Sequence, residues 1–183
     1  MPSSQRAAGA VARAFAPLLG TAPQLLILGS LPGTASLAAG QYYAHPRNLF
    51  WDVMGELFGA GRDLPYAERS LRLTQHGVAV WDVLQEATRV GSLDTAIDLA
   101  TASHSDLLTL LAAEPGITCI AFNGGTAARL FRQRVAPALA ASGRPVTCLT
   151  LPSTSPANAG LSRAGKLAAW QCLKDFAGTR GVA

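Results

Sequence analysis

Short, wholly apolar runs alternate along this chain with longer stretches of helical periodicity. The runs at 25–28, 78–81, 117–122 and 146–151 read as strands. Helical patterning covers residues 8–19, 46–58, 66–75, 126–134 and 162–176. Gly20 ends the first of these, Pro46 occupies the first turn of the second, and His76-Gly77 ends the third. A further helix starts at Ser105 or Asp106, either of which can cap it, and stops at Glu114-Pro115-Gly116. In the closing helix Leu167, Trp170 and Leu173 share the apolar face. Strands that are apolar on both faces and separated by helices predict an α/β protein whose parallel sheet is covered on both sides. The irregular stretches 29–45, 82–104 and 151–161 all begin at strand ends. They should therefore gather on one edge of the sheet, where such proteins bind ligands.

Composition narrows the class. The 183 residues are 49% hydrophobic and 14% charged, which excludes a disordered chain and predicts one domain over 1–183 with its core at about 22–177. No apolar run reaches the ~18 residues needed to cross a bilayer, so no membrane partner is expected. The start of the chain shows no signal-peptide pattern, which predicts a cytoplasmic location. The net charge of +4 permits an anionic partner without requiring one. Cys119, Cys148 and Cys172 form no CxxC pair or Cys/His cluster, so no metal or iron–sulfur site is expected. Cys119 and Cys148 read as buried strand residues.

The chemistry concentrates in two loops. Gly29-Ser30-Leu31-Pro32-Gly33 is neither a Walker loop nor GxGxxG. It is either a tight strand exit or a backbone surface that lets a planar ligand approach exposed N–H groups. Tyr42 and Tyr43 follow, as a lid on the core or as a stacking platform for a flat ring. His45-Pro46-Arg47-Asn48 comes next, and helical spacing places Asn48, Trp51 and Asp52 on one face. Asp82 and Asn123 each end a strand, as turn residues or as readers of ring N–H and amino groups. The second loop, Leu151-Pro152-Ser153-Thr154-Ser155-Pro156, is a stiffened surface loop or a phosphate-positioning one, to which Arg163 and Lys166 add charge. A G-x-S-x-G elbow is absent, and the three histidines lie in unrelated settings.

Taken together these blocks resemble the uracil-DNA glycosylase superfamily, and within it the hypoxanthine-DNA glycosylase branch (family six). The resemblance spans about 25–176. It rests on Gly29-Ser30-Leu31-Pro32, Gln41-Tyr42-Tyr43-Ala44-His45-Pro46-Arg47-Asn48, Gly77-Val78-Ala79-Val80-Trp81-Asp82-Val83, Gly91-Ser92-Leu93-Asp94, Phe122-Asn123-Gly124 and Leu151-Pro152-Ser153-Thr154-Ser155-Pro156-Ala157. It implies a three-layer α/β/α sandwich with a central four-stranded parallel sheet. It also implies excision of a deaminated base from DNA, most simply hypoxanthine from deoxyinosine, by a monomer without cofactor or metal, located through its substrate at the nucleoid. The first loop would surround the base and the attacking water, with Asn48 as the catalytic residue. The second would enter the minor groove. Classical uracil glycosylases carry Asp in the first motif and His at the start of the second. Ser30 and Leu151 stand there instead, which moves the expected chemistry to Asn48.

A base must leave the duplex to be cut. The expected pocket has Tyr43 or Phe50 stacking on the purine. Backbone N–H groups near Gly29, Ser30 and Leu31, or the Asn123 side chain, hold O6 or N7. Asp82 accepts from N1–H, a proton that adenine lacks. His45, Arg47, Ser153, Thr154, Ser155, Pro156, Ala157, Asn158 and Arg163 are the expected DNA contacts. Competing readings are a uracil or xanthine glycosylase of the same fold, a non-catalytic binder of damaged DNA or nucleobases, and a nucleoside hydrolase.

Overall fold

A computed structural model describes residues 9–177. In chain order the elements are β1 (Ala10–Arg13), β2 (Leu25–Gly29), α1 (Thr34–Ala39), α2 (Phe50–Phe58), α3 (Tyr66–Gln75), β3 (Val78–Asp82), β4 (Leu84–Arg89) and β5 (Ile97–His104). They continue with α4 (Leu107–Ala113), β6 (Cys119–Asn123), α5 (Gly125–Arg134), α6 (Ala136–Ala141), β7 (Thr147–Leu151) and α7 (Arg163–Trp170). Single 3-10 turns lie at Asp94–Ala96 and Gln171–Asp175.

Four strands form the expected parallel sheet in the order β3-β2-β6-β7. The central strand β2 is fully buried along its whole length. Its side chains alternate between two cores, as strand geometry requires. Leu26 and Leu28 pack with Phe122, Phe131 and Leu107 on one face. Leu25 and Ile27 pack with Phe50, Trp51, Met54 and Trp170 on the other. The result is the three-layer α/β/α arrangement. In α2 the buried residues Phe50, Trp51, Val53, Met54, Leu57 and Phe58 recur at helical spacing, and Gly59 closes the helix at φ 66°. Asp106 caps α4 by accepting from Thr109 N, and Ser162 caps α7 by accepting from Gly165 N.

Several expectations need correction. The helix expected over 8–19 is absent from its described part. Ala10–Arg13 instead pairs antiparallel with β4, and Leu18 bridges Val80. Alanine's helix preference is overridden there because pairing buries Ala12 while Val11 stays exposed. The stretch 82–104 is not wholly irregular, since β1-β4-β5 form a second, antiparallel sheet. Register shifts along β4 and β5 break the period-two signal that would have revealed it. The short helices α1 and α6 also escaped the pattern. The second helix starts at Phe50, not Pro46, so Asn48 precedes it and shares no helical face with Trp51 and Asp52. Cys119 is buried, but Cys148 is exposed because β7 is an edge strand whose outer residues face solvent.

Candidate active site

The C-terminal ends of β2, β3, β6 and β7 open into one cleft of about 630 Å3. Loops from all three irregular stretches line it. The first supplies Gly29, Ser30, Leu31, Tyr43 and His45, with Asn48 just past its end; the second supplies Asp82 and Asp94; the third runs from Ser153 to Asn158. Asn123 completes the wall at the end of β6.

Asn48 lies in the turn before α2. Its Oδ1 accepts from Phe50 N at 3.0 Å, an Asx-type turn that fixes the side chain just ahead of Leu49, the N-cap of α2. One amide N–H2 group and the second lone pair of Oδ1 stay available to the cleft. Behind it Arg62 donates to the Asn48 carbonyl and is itself held by Asp52. Leu49 N donates to Thr154 O at 3.0 Å, so the first and third loops are tied beside Asn48.

Tyr43 has φ 54°, a left-handed conformation that is uncommon for a bulky residue and concentrates at functional sites. Its ring stacks on Phe50 at 3.9 Å between centroids and 22° between planes. Phe50 is fully buried and does not line the cleft, so Tyr43 is the ring presented to a ligand. Tyr42 is a core residue. Its carbonyl accepts from Trp51 Nε1 at 2.8 Å and its hydroxyl donates to Ala16 O at 3.2 Å.

Asp82 ends β3 at the floor of the cleft, opposite Gly29 in register. It is 3% exposed and its Oδ2 has no hydrogen-bond partner. The buried Tyr43 hydroxyl also lacks one. Gly29 has no room for a side chain, since a Cβ there would meet Asp82 Oδ1 at 2.4 Å and Tyr43 Oη at 3.0 Å. The three groups therefore crowd one spot. Burial, aided by the charge of Asp94 and opposed by Arg89, pushes the Asp82 carboxyl up from 3.8 to about 7. Burial together with Asp82 also keeps the Tyr43 phenol protonated.

The shift at Asp82 has a consequence for stability. The folded protein holds the Asp82 proton more tightly than the unfolded chain. Stability is therefore unpenalised below pH 3.8, falls as pH rises toward about 7, and levels off above it. The penalty is on the order of 4 kcal/mol at most. Urea unfolding of wild type and Asp82→Asn across this range should show the wild type losing more stability with rising pH. Parallel pH dependences would refute the assignment.

The remaining expected residues divide. His45 lines the cleft and accepts from Arg47 N at 3.1 Å, while Arg47 is exposed beside it. Thr154 is fully buried and not available to DNA. It donates its backbone N–H to Asn123 Oδ1 and accepts from Asn123 Nδ2, each at 2.8 Å. Asn123 is thus largely committed to holding the third loop. Ser153, Ser155, Pro156 and Asn158 form the rim, and Ala157 is exposed at its tip. Arg163 points away toward Asp52 and Glu56, at 4.0 and 3.6 Å. Lys166 is 3% exposed and donates to Asn158 O at 2.6 Å, so it props the loop from beneath instead of offering charge to phosphate.

Arg62 and Arg89 escaped the sequence reading, and Asp94 entered it only within the Gly91-Ser92-Leu93-Asp94 block, with no role given. Arg62 braces Asn48. Arg89, buried at 4% exposure, donates to the carbonyls of Leu31, Pro32 and Gly91 and clamps the first loop. Asp94 accepts from Ser30 Oγ at 2.6 Å. A buried arginine in a strand of the second sheet was not readable before that sheet was known.

Comparison with known proteins agrees with the geometry. The model of the uracil DNA glycosylase superfamily matches residues 17–177. A hypoxanthine DNA glycosylase of Methanosarcina acetivorans is 32% identical over 154 residues, covering 84% of this chain and 92% of its own. A second protein of that name, from Methanosarcina barkeri, is 34% identical over 111 residues, covering 60% of this chain and 69% of its own. The solution NMR structure of a candidate uracil DNA glycosylase from Methanosarcina acetivorans superposes with a TM-score of 0.71 at 30% identity. That superposition covers 90% of this chain and 99% of the other. The match over most of the chain, on a cleft built at the sheet's C-terminal edge, means that this chain belongs to the uracil-DNA glycosylase superfamily.

Proposed function

We propose that this chain excises hypoxanthine from deoxyinosine in DNA by hydrolysis of the N-glycosidic bond, as a monofunctional glycosylase. The observation that carries the reading is the unpartnered Asp82 Oδ2 on the cleft floor. Buried acceptors without partners are rare in folded proteins, and a ligand N–H is the partner this one lacks. Hypoxanthine presents N1–H to the ionised carboxylate, whereas adenine presents a bare N1 that repels it. A contact that only the right base completes is the kind that gives large selectivity. The names of the two Methanosarcina relatives support the same substrate.

In this reading the deoxyinosine is flipped from the stack and its purine slides against Tyr43. Asn48 holds the attacking water against C1′, where positioning alone lowers a barrier by several kcal/mol. Backbone N–H groups near Gly29, Ser30 and Leu31 face O6 or N7. The rim residues Ser153, Ser155, Pro156, Ala157 and Asn158 fill the gap left in the duplex, with His45 and Arg47 beside the strand. DNA is the partner and a monomer the working form; no metal or cofactor enters the scheme.

Uracil carries a similar N–H and C=O edge on a smaller ring, so the substrate test must be comparative. Duplexes bearing hypoxanthine, xanthine, uracil or adenine, each incubated with excess protein and then cleaved at abasic sites, should rank hypoxanthine first and adenine last. Equal or faster cutting at uracil would overturn the assignment of base. Activity on free inosine comparable to that on DNA would overturn the assignment of polymer substrate.

A further inference from the structure

We propose that Asp94 is a second catalytic residue, the base that takes the proton from the water held by Asn48. The inference rests on the glycosylase reading of the cleft. Asn48 can orient a water but cannot accept its proton; His45 of the first loop has its Nδ1 engaged by Arg47 N, and the second loop holds neither acid nor histidine. The motif Gly91-Ser92-Leu93-Asp94 delivers one from elsewhere. It leaves the second sheet between β4 and β5 and reaches the cleft at the 3-10 turn Asp94–Ala96.

The turn is built to hold that carboxylate in place. Ser30 Oγ donates to Asp94 Oδ1 at 2.6 Å, directly after the glycine that floors the pocket. Ser92 Oγ accepts from Thr34 N at 3.1 Å and lies 2.6 Å from Thr34 Oγ1. Arg89 spans the same junction, bonding Gly91 O on one side and the Leu31 and Pro32 carbonyls on the other. Asp94 is half-buried, and its Oδ2 takes no hydrogen bond from the described residues. One oxygen is thus anchored and the other left for a ligand. The two carboxyls at the cleft, Asp82 and Asp94, then have separate tasks: the deeper one reads the base, the outer one serves the water.

The step balances as a hydrolysis. Water oxygen bonds to C1′ as the C1′–N9 bond breaks, and that electron pair leaves with the purine. The water proton passes to Asp94 Oδ2 and then to solvent, and the departing base takes a proton from solvent. A carboxylate beside C1′ also favours the cationic sugar that forms as the bond opens. General bases contribute roughly 10²–10⁴ in rate.

The test is single-turnover excision from a deoxyinosine duplex, paired with binding to a duplex carrying an uncleavable 2′-fluoro-deoxyinosine. Asp94→Asn should cut slower by ~100-fold or more while binding the uncleavable duplex within about threefold. Asp94→Gly should recover part of its rate in added formate. Ser30→Ala, which frees the anchor without touching the carboxylate, should fall by ~10-fold, a milder change that also guards against misfolding of the first variants. An Asp94→Asn rate within about threefold of wild type overturns the proposal, as does a rate loss matched by lost binding and not rescued by formate. A wild-type chain that releases no base overturns the glycosylase reading itself. Wild-type release with an undiminished Asp94→Asn variant overturns this inference alone.

Discussion

Replacing Asn48 with alanine is expected to slow single-turnover excision of hypoxanthine by roughly 10³-fold while duplex binding survives. The side chain sits in the cleft before α2 with its backbone braced on both sides, by Arg62 on the carbonyl and by Thr154 on the next N–H. Such bracing holds a small amide to within the tolerance that positioned water requires. The truncation also removes the turn-forming bond to Phe50 N, which costs ~1 kcal/mol of stability. Asn48→Asp separates the two effects, since it keeps an oxygen for the turn bond and for water. It should restore stability and part of the rate. A near-normal rate for Asn48→Ala would remove the residue from the chemistry.

Gly29→Ala carries the second large effect. A methyl group at this position meets Asp82 Oδ1 at 2.4 Å and Tyr43 Oη at 3.0 Å. Neither neighbour can yield without moving the floor of the site, because Asp82 is buried on a paired strand and Tyr43 is pinned against Phe50. The overpacking should cost ~1–3 kcal/mol. A displacement of about 1 Å at the reading carboxyl should reduce excision by ~100-fold or more. Thermal unfolding and single-turnover kinetics on the same preparation check both numbers. A folded variant that still cuts within about threefold of wild type would show that Asp82 does not read the base.

Much of this was legible in the chain, and the reasons are physical. The four parallel strands announced themselves because burial on both faces leaves an unbroken apolar run. The three loop stretches fell on one edge because parallel strands all end there. Asp82 could be singled out by its place at a strand end and Tyr43 as an aromatic lid or stacking ring, while the role expected of Asn48 came from the family resemblance. What was hidden depended on pairing. Ala10–Arg13 looked helical because alanine reports propensity, not partners. The β1-β4-β5 sheet was masked by register shifts, and with it the meaning of Arg89 and the route by which Asp94 reaches the cleft. Polar residues were also misjudged by type. Thr154, Lys166 and Arg163 resembled groups waiting for phosphate, but the fold spends them internally. Thr154 latches Asn123, Lys166 props the rim, and Arg163 answers Asp52 and Glu56.

The most direct measurement is chromatographic detection of the free base after excess protein meets a duplex with one deoxyinosine. The account predicts that free hypoxanthine and an abasic strand appear together in equal amounts, and that no adenine is released from the matched control. A duplex that is bound but stays intact, with no free hypoxanthine, would contradict it.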